Sequence, residues 1–142
     1  MKENNLQRFV DAQQGVYEQA LSQIKGGRKQ SHWMWFVFPQ IDGLGYSEIS
    51  KRYGIKSMAE AEAYLQHPLL GVRLLQISEA LLQLGSSDAY QIFGSPDDLK
   101  LKSSMTLFSS LPNAPVIFRK VLDKFFAGAK DPKTLKLLKQ PS

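Results

Sequence analysis

The sequence contains no cysteine. That excludes a disulfide scaffold, a zinc ribbon, an iron–sulfur site and a thiol nucleophile. Only two histidines occur, His32 and His67, too few for a histidine-rich metal site, so neither a metal nor another cofactor is expected. No apolar run approaches the ~20 residues that cross a bilayer. The opening residues, MKENNLQRF, carry no apolar signal core. These absences lead us to expect a cytoplasmic protein with no membrane partner. Phosphate-cradling glycine loops (P-loop, G-x-G-x-x-G) are missing. So is the G-x-S-x-G elbow, since Gly45-Tyr46-Ser47 runs on into Glu48 and Ile49. Repeats, low-complexity tracts and long linkers are absent too. A chain of 142 residues still buries roughly two thirds of its unfolded surface. One globular domain over residues 1–142 is expected, with residues 1–4 and 140–142 frayed.

Charge is present and unevenly placed. The formal net charge is +5. Arg119, Lys120, Lys124, Lys130, Lys133, Lys136 and Lys139 face only Asp123 and Asp131 over the last stretch, which therefore carries a net charge equal to that of the whole chain. Two readings follow. A localised basic tail attracts polyanions. Alternatively, it is a solvated helix face whose lysine stems cover apolar surface. Without a nucleic-acid reading motif, the expectation is weak, non-specific polyanion binding by a basic C-terminal helix and no specific nucleic-acid partner.

Helix signals dominate. Leu6, Phe9, Val10, Tyr17, Ala20, Leu21 and Ile24 recur at three- and four-residue steps, which predicts one helix ended by Gly26-Gly27. Ser57 and Glu60 form a capping box that starts a helix toward His67. Leu70, Leu74, Ile77, Leu81 and Leu84 make a second long stripe closed by Gly85. Ser95-Pro96-Asp97-Asp98 reads as cap, proline at N1 and acids at the positive end of the helix dipole, so that capping accounts for both aspartates. Pro115 opens a helix through Phe126, ended by Gly128. Asp131-Pro132 caps a short basic helix. The run Trp33-Met34-Trp35-Phe36-Val37-Phe38 has no β-rich partner to take its hydrogen bonds and is read as a short buried helix ended by Pro39. The fold class is all-α, a compact single-domain bundle of six or more helices of uneven length.

Residues Lys29 to Gln40 hold both tryptophans and His32. An aromatic cluster of this kind dominates core energetics, and if Trp35 is core its removal costs ~3–5 kcal/mol. Polar groups bracket the cluster, however: Lys29, His32 and Gln40 flank it, and a glycine-bearing turn leads to Ser47, a helix cap. Aromatic walls with few convergent polar groups also describe small-molecule pockets. Two further segments carry polar residues that caps and solvated faces explain least. One is Lys100, Lys102, Ser103, Ser104 and Thr106 on a helix that also supplies Met105 and Phe108. Lys100 and Ser104 share a face there. The other is Arg73 among Leu70, Leu74 and Leu75, where it either pairs with an acid or clamps an anion.

These residues resemble an uncharacterised bacterial family, domain of unknown function 1810, sometimes labelled "calpastatin". The match rests on Phe9 to Gln13, on Lys29 with Ser31 to Gln40, and on Gly43-Leu44-Gly45 with Ser47. It continues through Ala63-Tyr64-Leu65 with His67-Pro68, Leu70-Gly71 with Arg73-Leu74, Ile92-Phe93-Gly94, Asp97, Lys100-Leu101 with Ser103 to Phe108, and Gly128, Asp131, Thr134 and Leu135. The resemblance implies a mainly α-helical protein and brings no activity. The order of motifs is also similar to that of small α-helical glycosidase-like proteins proposed to process ADP-ribose derivatives.

Two function classes stay open. The first is a binding or interaction domain without chemistry. The second is an enzyme or binder acting on a small phosphorylated or nucleotide-like, ADP-ribose-type ligand, since indoles stack on bases and cations hold phosphate. A cleft is expected where residues 31–47 meet the helix with Lys100 to Thr106 and the helix with Arg73. In it His32 is the candidate acid–base or anion-contact group. Gln40 and Ser104 orient the ligand, Lys29, Arg73 and Lys102 clamp its charge, and Trp33, Trp35 and Ser47 complete the candidate set.

Overall fold

A computed structural model describes residues 5–139; the residues expected to fray at the two ends lie outside that range. Ten helices occur among the described residues: α1 (Gln7–Gln13), α2 (Tyr17–Lys25), α3 (Met34–Val37), α4 (Glu48–Tyr53), α5 (Met58–Gln66), α6 (Leu70–Leu82), α7 (Ala89–Phe93), α8 (Asp97–Ser109), α9 (Ile117–Phe126) and α10 (Pro132–Leu138). The fold is an all-α, single-domain bundle. The one extended pairing among the described residues is an isolated parallel bridge between Ile41 and Ile55. There the Asp42 N–H donates to the Ile55 carbonyl and the Ile55 N–H to the Gln40 carbonyl, both at 2.8 Å. The bridge ties the loop after α3 to the segment after α4.

The stripe from Leu6 to Ile24 does not form one helix. Gly15 takes a φ of +73°, a left-handed value that only glycine adopts freely, and it separates α1 from α2. The apolar period survives because both pieces still bury their stripes: Phe9 in α1, and Tyr17, Ala20, Leu21 and Ile24 in α2. The capping box at Ser57 forms on one side only. Ser57 Oγ accepts from the Glu60 N–H at 3.1 Å. The Glu60 carboxylate turns instead to the Lys56 N–H at 2.7 Å and to Arg8 at 3.0 Å. Ser95-Pro96 also departs from expectation: Pro96 itself occupies the N-cap of α8 and no side chain caps it. Lys124, counted with the basic tail, donates to the carbonyls of Leu81, Leu82 and Leu84 and so closes the C-terminus of α6.

The core runs through α8, whose residues Leu101 and Ser103 to Phe108 are all buried. That helix packs on α9, α7, α10 and α5. Every helix sets at least one apolar side chain in this core or against it, down to Tyr53 from α4 and Leu138 from α10. Two glutamines fix the aromatic segment onto it. Gln23 of α2 takes the Trp33 indole N–H on its carbonyl oxygen at 2.8 Å and donates to Ser31 Oγ at 2.9 Å. Gln13 of α1 donates to the Phe36 carbonyl at 2.8 Å and to Tyr64 Oη at 3.0 Å. Burial pushes the Tyr64 phenol well above its usual range, so it stays a neutral hydrogen-bonding group.

Candidate ligand-binding cleft

The loop between α3 and α4, the start of α8 and the start of α10 enclose a cleft of about 300 Å³. Its apolar wall comes from Trp35, Leu44, Pro96 and Leu99, and its polar groups are Gln40, Lys100, Ser103, Asp131 and Lys133. A narrow cavity adjoins it, sharing Trp35, Gln40, Leu44 and Gly45 and reaching Ser50 and Tyr53.

Gln40 is only 7% exposed, and its Nε2 finds no acceptor among the described residues. A buried amide donor left unpaired costs roughly 1–3 kcal/mol. Gln40 is held here by its backbone, because its carbonyl accepts from Ile55 in the bridge described above.

Lys100 enters from the first turn of α8. Its Nζ lies 4.6 Å from the centre of the Trp35 ring and 2.9 Å from Asp97 Oδ1. Lys29 approaches the same carboxylate from the other side, with Nζ 2.7 Å from Oδ2. Burial works to raise the Asp97 pKa, but hydrogen bonds and charge from Lys29 and Lys100 outweigh it and hold the carboxyl below its usual value. Asp97 is therefore more than the helix-capping acid read from the sequence: it anchors two cations. Since one carboxylate offsets two ammonium groups, a net positive charge remains beside Trp35.

Asp131 forms the opposite polar feature. Its Oδ2 accepts from Ser103 Oγ and from the Thr134 N–H, both at 3.1 Å, and from the Thr134 hydroxyl. Its own N–H donates to Thr106 Oγ1 at 2.9 Å. The carboxylate is thus fixed by α8 and by the first turn of α10 together.

The structure brings some of the expected residues together and separates others. Gln40 and Trp35 line the cleft. Lys29 stands behind it, tied to Asp97 and 5.3 Å from the Trp33 ring. Trp33 is 1% exposed and belongs to the core. His32 is exposed and outside the cleft. Ser47 caps α4, accepting from the Ser50 N–H at 3.2 Å. Arg73 neither meets an acid nor reaches the cleft: it lies 4.9 Å from the Tyr17 ring and donates to Gln13 Oε1 at 3.2 Å. Ser104 is fully buried with an unpartnered hydroxyl, and Lys100 turns to Asp97 instead of sharing a site with it. Lys102 is half-buried and does not line the cleft. The expected meeting of three segments is thus replaced by a different one: the α6 helix with Arg73 is absent from it, and the start of α10 takes its place. Sequence reading left out Asp131 and Lys133, which look like an ordinary cap and a surface lysine. Ser103 and Asp131 are 28 positions apart, and no local pattern announces such a pair. Among the described residues no group of three or more histidines or acids is arranged to hold a metal. No helix among them is long and apolar enough to cross a membrane.

Fold and cleft define a small all-α protein with a polar–aromatic cleft beside Trp35. The chain belongs to the family described as protein of unknown function, DUF1810, which it matches over residues 3–138. It is similar to the conserved hypothetical protein Rv1873 from Mycobacterium tuberculosis, solved by crystallography at 1.38 Å. The two are 48% identical and superpose with a TM-score of 0.94, over 97% of this chain and 99% of that one. No curated protein matches. Membership in the family brings no demonstrated chemistry, and the solved relative is bacterial.

Proposed function

We propose that the protein is a binding domain for a small organic anion, held in the cleft between the α3–α4 loop and the starts of α8 and α10. The observation that carries this reading is Gln40: a backbone-fixed, buried amide with an unused donor, lining a cleft that also holds a surplus of positive charge. Lys100 spends one N–H on Asp97 and keeps others for an anionic oxygen. Lys133 adds a second, exposed cation at the rim. Trp35 and Leu99 supply apolar contact, as small-molecule sites require. His32 and Arg73 play no part in this reading, because neither lines the cleft.

The test is a thermal-unfolding screen of the wild type and the Gln40→Leu variant against adenosine monophosphate, ribose 5-phosphate, glucose 6-phosphate and benzoate. A probe at 100 times its dissociation constant stabilises the native state by ~2.7 kcal/mol. We expect at least one probe to raise the midpoint of the wild type and not of the variant. A rise of equal size in both would place binding elsewhere. No rise with any probe would contradict the proposal.

A second, weaker interaction rests on the exposed lysines Lys130, Lys133, Lys136 and Lys139 around α10. Non-specific, salt-sensitive contact with polyanions is the behaviour such a face supports.

A further inference from the structure

Asp131 is at odds with a cleft that only neutralises an anion. A carboxylate among phosphate-binding groups repels phosphate, and this one is not a mobile surface acid. Oδ2 already receives three donors from Ser103 and Thr134. Its backbone N–H is fixed on Thr106. Among the described residues, Oδ1 receives no protein donor. The side chain lines the same cleft as Lys100 and the unpartnered, buried Gln40 amide.

The groups divide by chemistry. Lys100 and Lys133 are donors only, the unpartnered buried atom of Gln40 is its amide donor, and the free oxygen of Asp131 is an acceptor only. A ligand that satisfies all of them must carry acceptor oxygens at one end and a hydrogen-bond donor at the other, and a hydroxyl supplies that donor without the ammonium charge that Lys100 and Lys133 would repel. An alkyl phosphate or a simple aromatic acid lacks the donor. A phosphorylated sugar, alone or within a nucleotide, has both. Building on the organic-anion reading, we infer that the ligand is a sugar phosphate or nucleotide and that Asp131 selects it by accepting a sugar hydroxyl. Recognition of this kind discriminates strongly, because an analogue without the hydroxyl leaves a desolvated carboxylate unpaired.

The experiment is calorimetric titration of the wild-type protein with two matched pairs. The first is adenosine monophosphate and its 2′,3′-dideoxy analogue. The second is ribose 5-phosphate and pentyl phosphate. Each titration is repeated with Asp131→Asn, which keeps an N-cap acceptor for Thr134, and with Gln40→Leu. The expected result is a preference of tenfold or more for a hydroxylated member in the wild type, abolished by Asp131→Asn, with residual binding of the phosphate end retained. Equal affinity for both members of each pair, with binding still lost in Gln40→Leu, overturns the inference and leaves the organic-anion reading standing. A preference that survives Asp131→Asn also overturns it. Absence of binding by all four probes overturns the inference, and the organic-anion reading then stands or falls with glucose 6-phosphate and benzoate in the thermal screen. Circular-dichroism melting of Asp131→Asn establishes that α10 stays folded, and Ser103→Ala provides a second variant that loosens the carboxylate without removing it.

Discussion

Trp33 and Trp35 are two positions apart and have opposite surroundings. Trp33 is sealed in the core and hydrogen-bonded to Gln23, while Trp35 is half-buried under the Lys100 ammonium. Trp33→Ala is expected to cost ~3–5 kcal/mol. Trp35→Ala is expected to cost clearly less, since much of its ring faces the cleft and the ammonium contact adds only ~0.5–1 kcal/mol at an accessible site. Urea midpoints of the two variants check this, and equal losses would mean that Trp35 is core as well. The sequence marked the segment but did not separate the two indoles. Within a helix of four residues no period is long enough to say which ring faces in. Gln40 was legible as polar and unexplained. Its lack of a partner was not, because that depends on what the fold places around it. Asp97 gives a second prediction. Its folded-state pKa lies below the ordinary carboxylate value of ~3.9. Its stabilising contribution is therefore complete above that value and is lost as pH falls toward and through the depressed one. Asp97→Asn should destabilise at pH 7, by less than the ~3–5 kcal/mol seen when a fully buried pair loses one partner, because the carboxylate is only half-buried. The gap to wild type should narrow below pH 4. A gap that is independent of pH would contradict the role given to the Lys29–Asp97–Lys100 cluster.

Among the elements, α5 and α6 approach closely at Gly71. A Cβ on Gly71 would lie 1.8 Å from the Leu65 carbonyl oxygen, and a backbone atom cannot move aside cheaply. Gly71→Ala should therefore exceed the ~1–3 kcal/mol of an ordinary overpacked core. A melting temperature near wild type would show that the two helices are free to part. Helix identity was largely readable at this scale. Ser57, Asp131-Pro132, the stripe of α6, and Pro115 with Gly128 around α9 announced their elements, because caps, breakers and periods are local. The break at Gly15 was not, since the apolar spacing continues across it and only the left-handed φ interrupts the helix. Nor was the role of Lys124, whose partners lie about forty residues away on α6. The position of α10 beside the aromatic segment is likewise a tertiary fact: Leu137 packs against the position a Cβ on Gly43 would occupy, at 3.4 Å, and Ser103 meets Asp131. It is this contact that turns a helix cap into a wall of the cleft.

For the molecule as a whole, charge and cavity point to different scales of interaction. The tail carries the net charge of the chain, yet Lys124 is consumed internally, so fewer cations are free than the sequence count suggests. Binding to heparin or duplex DNA is expected to be weak and to fall steeply with salt, by about 0.9 log units of affinity per log unit of salt for each phosphate contacted on duplex DNA. Tight, salt-insensitive binding in a filter or anisotropy assay would contradict that. The central claim concerns the cleft. It is tested most directly by nitrogen-detected NMR of labelled protein during titration with adenosine monophosphate, ribose 5-phosphate, glucose 6-phosphate and benzoate, following the Gln40 side-chain amide and the two indole N–H signals. The account predicts that at least one of these anions moves the Gln40 amide and the Trp35 indole saturably, while the Trp33 indole, committed to Gln23, stays in place. Titrations that leave Gln40 and Trp35 unmoved, or that shift only residues of the basic tail, would contradict it.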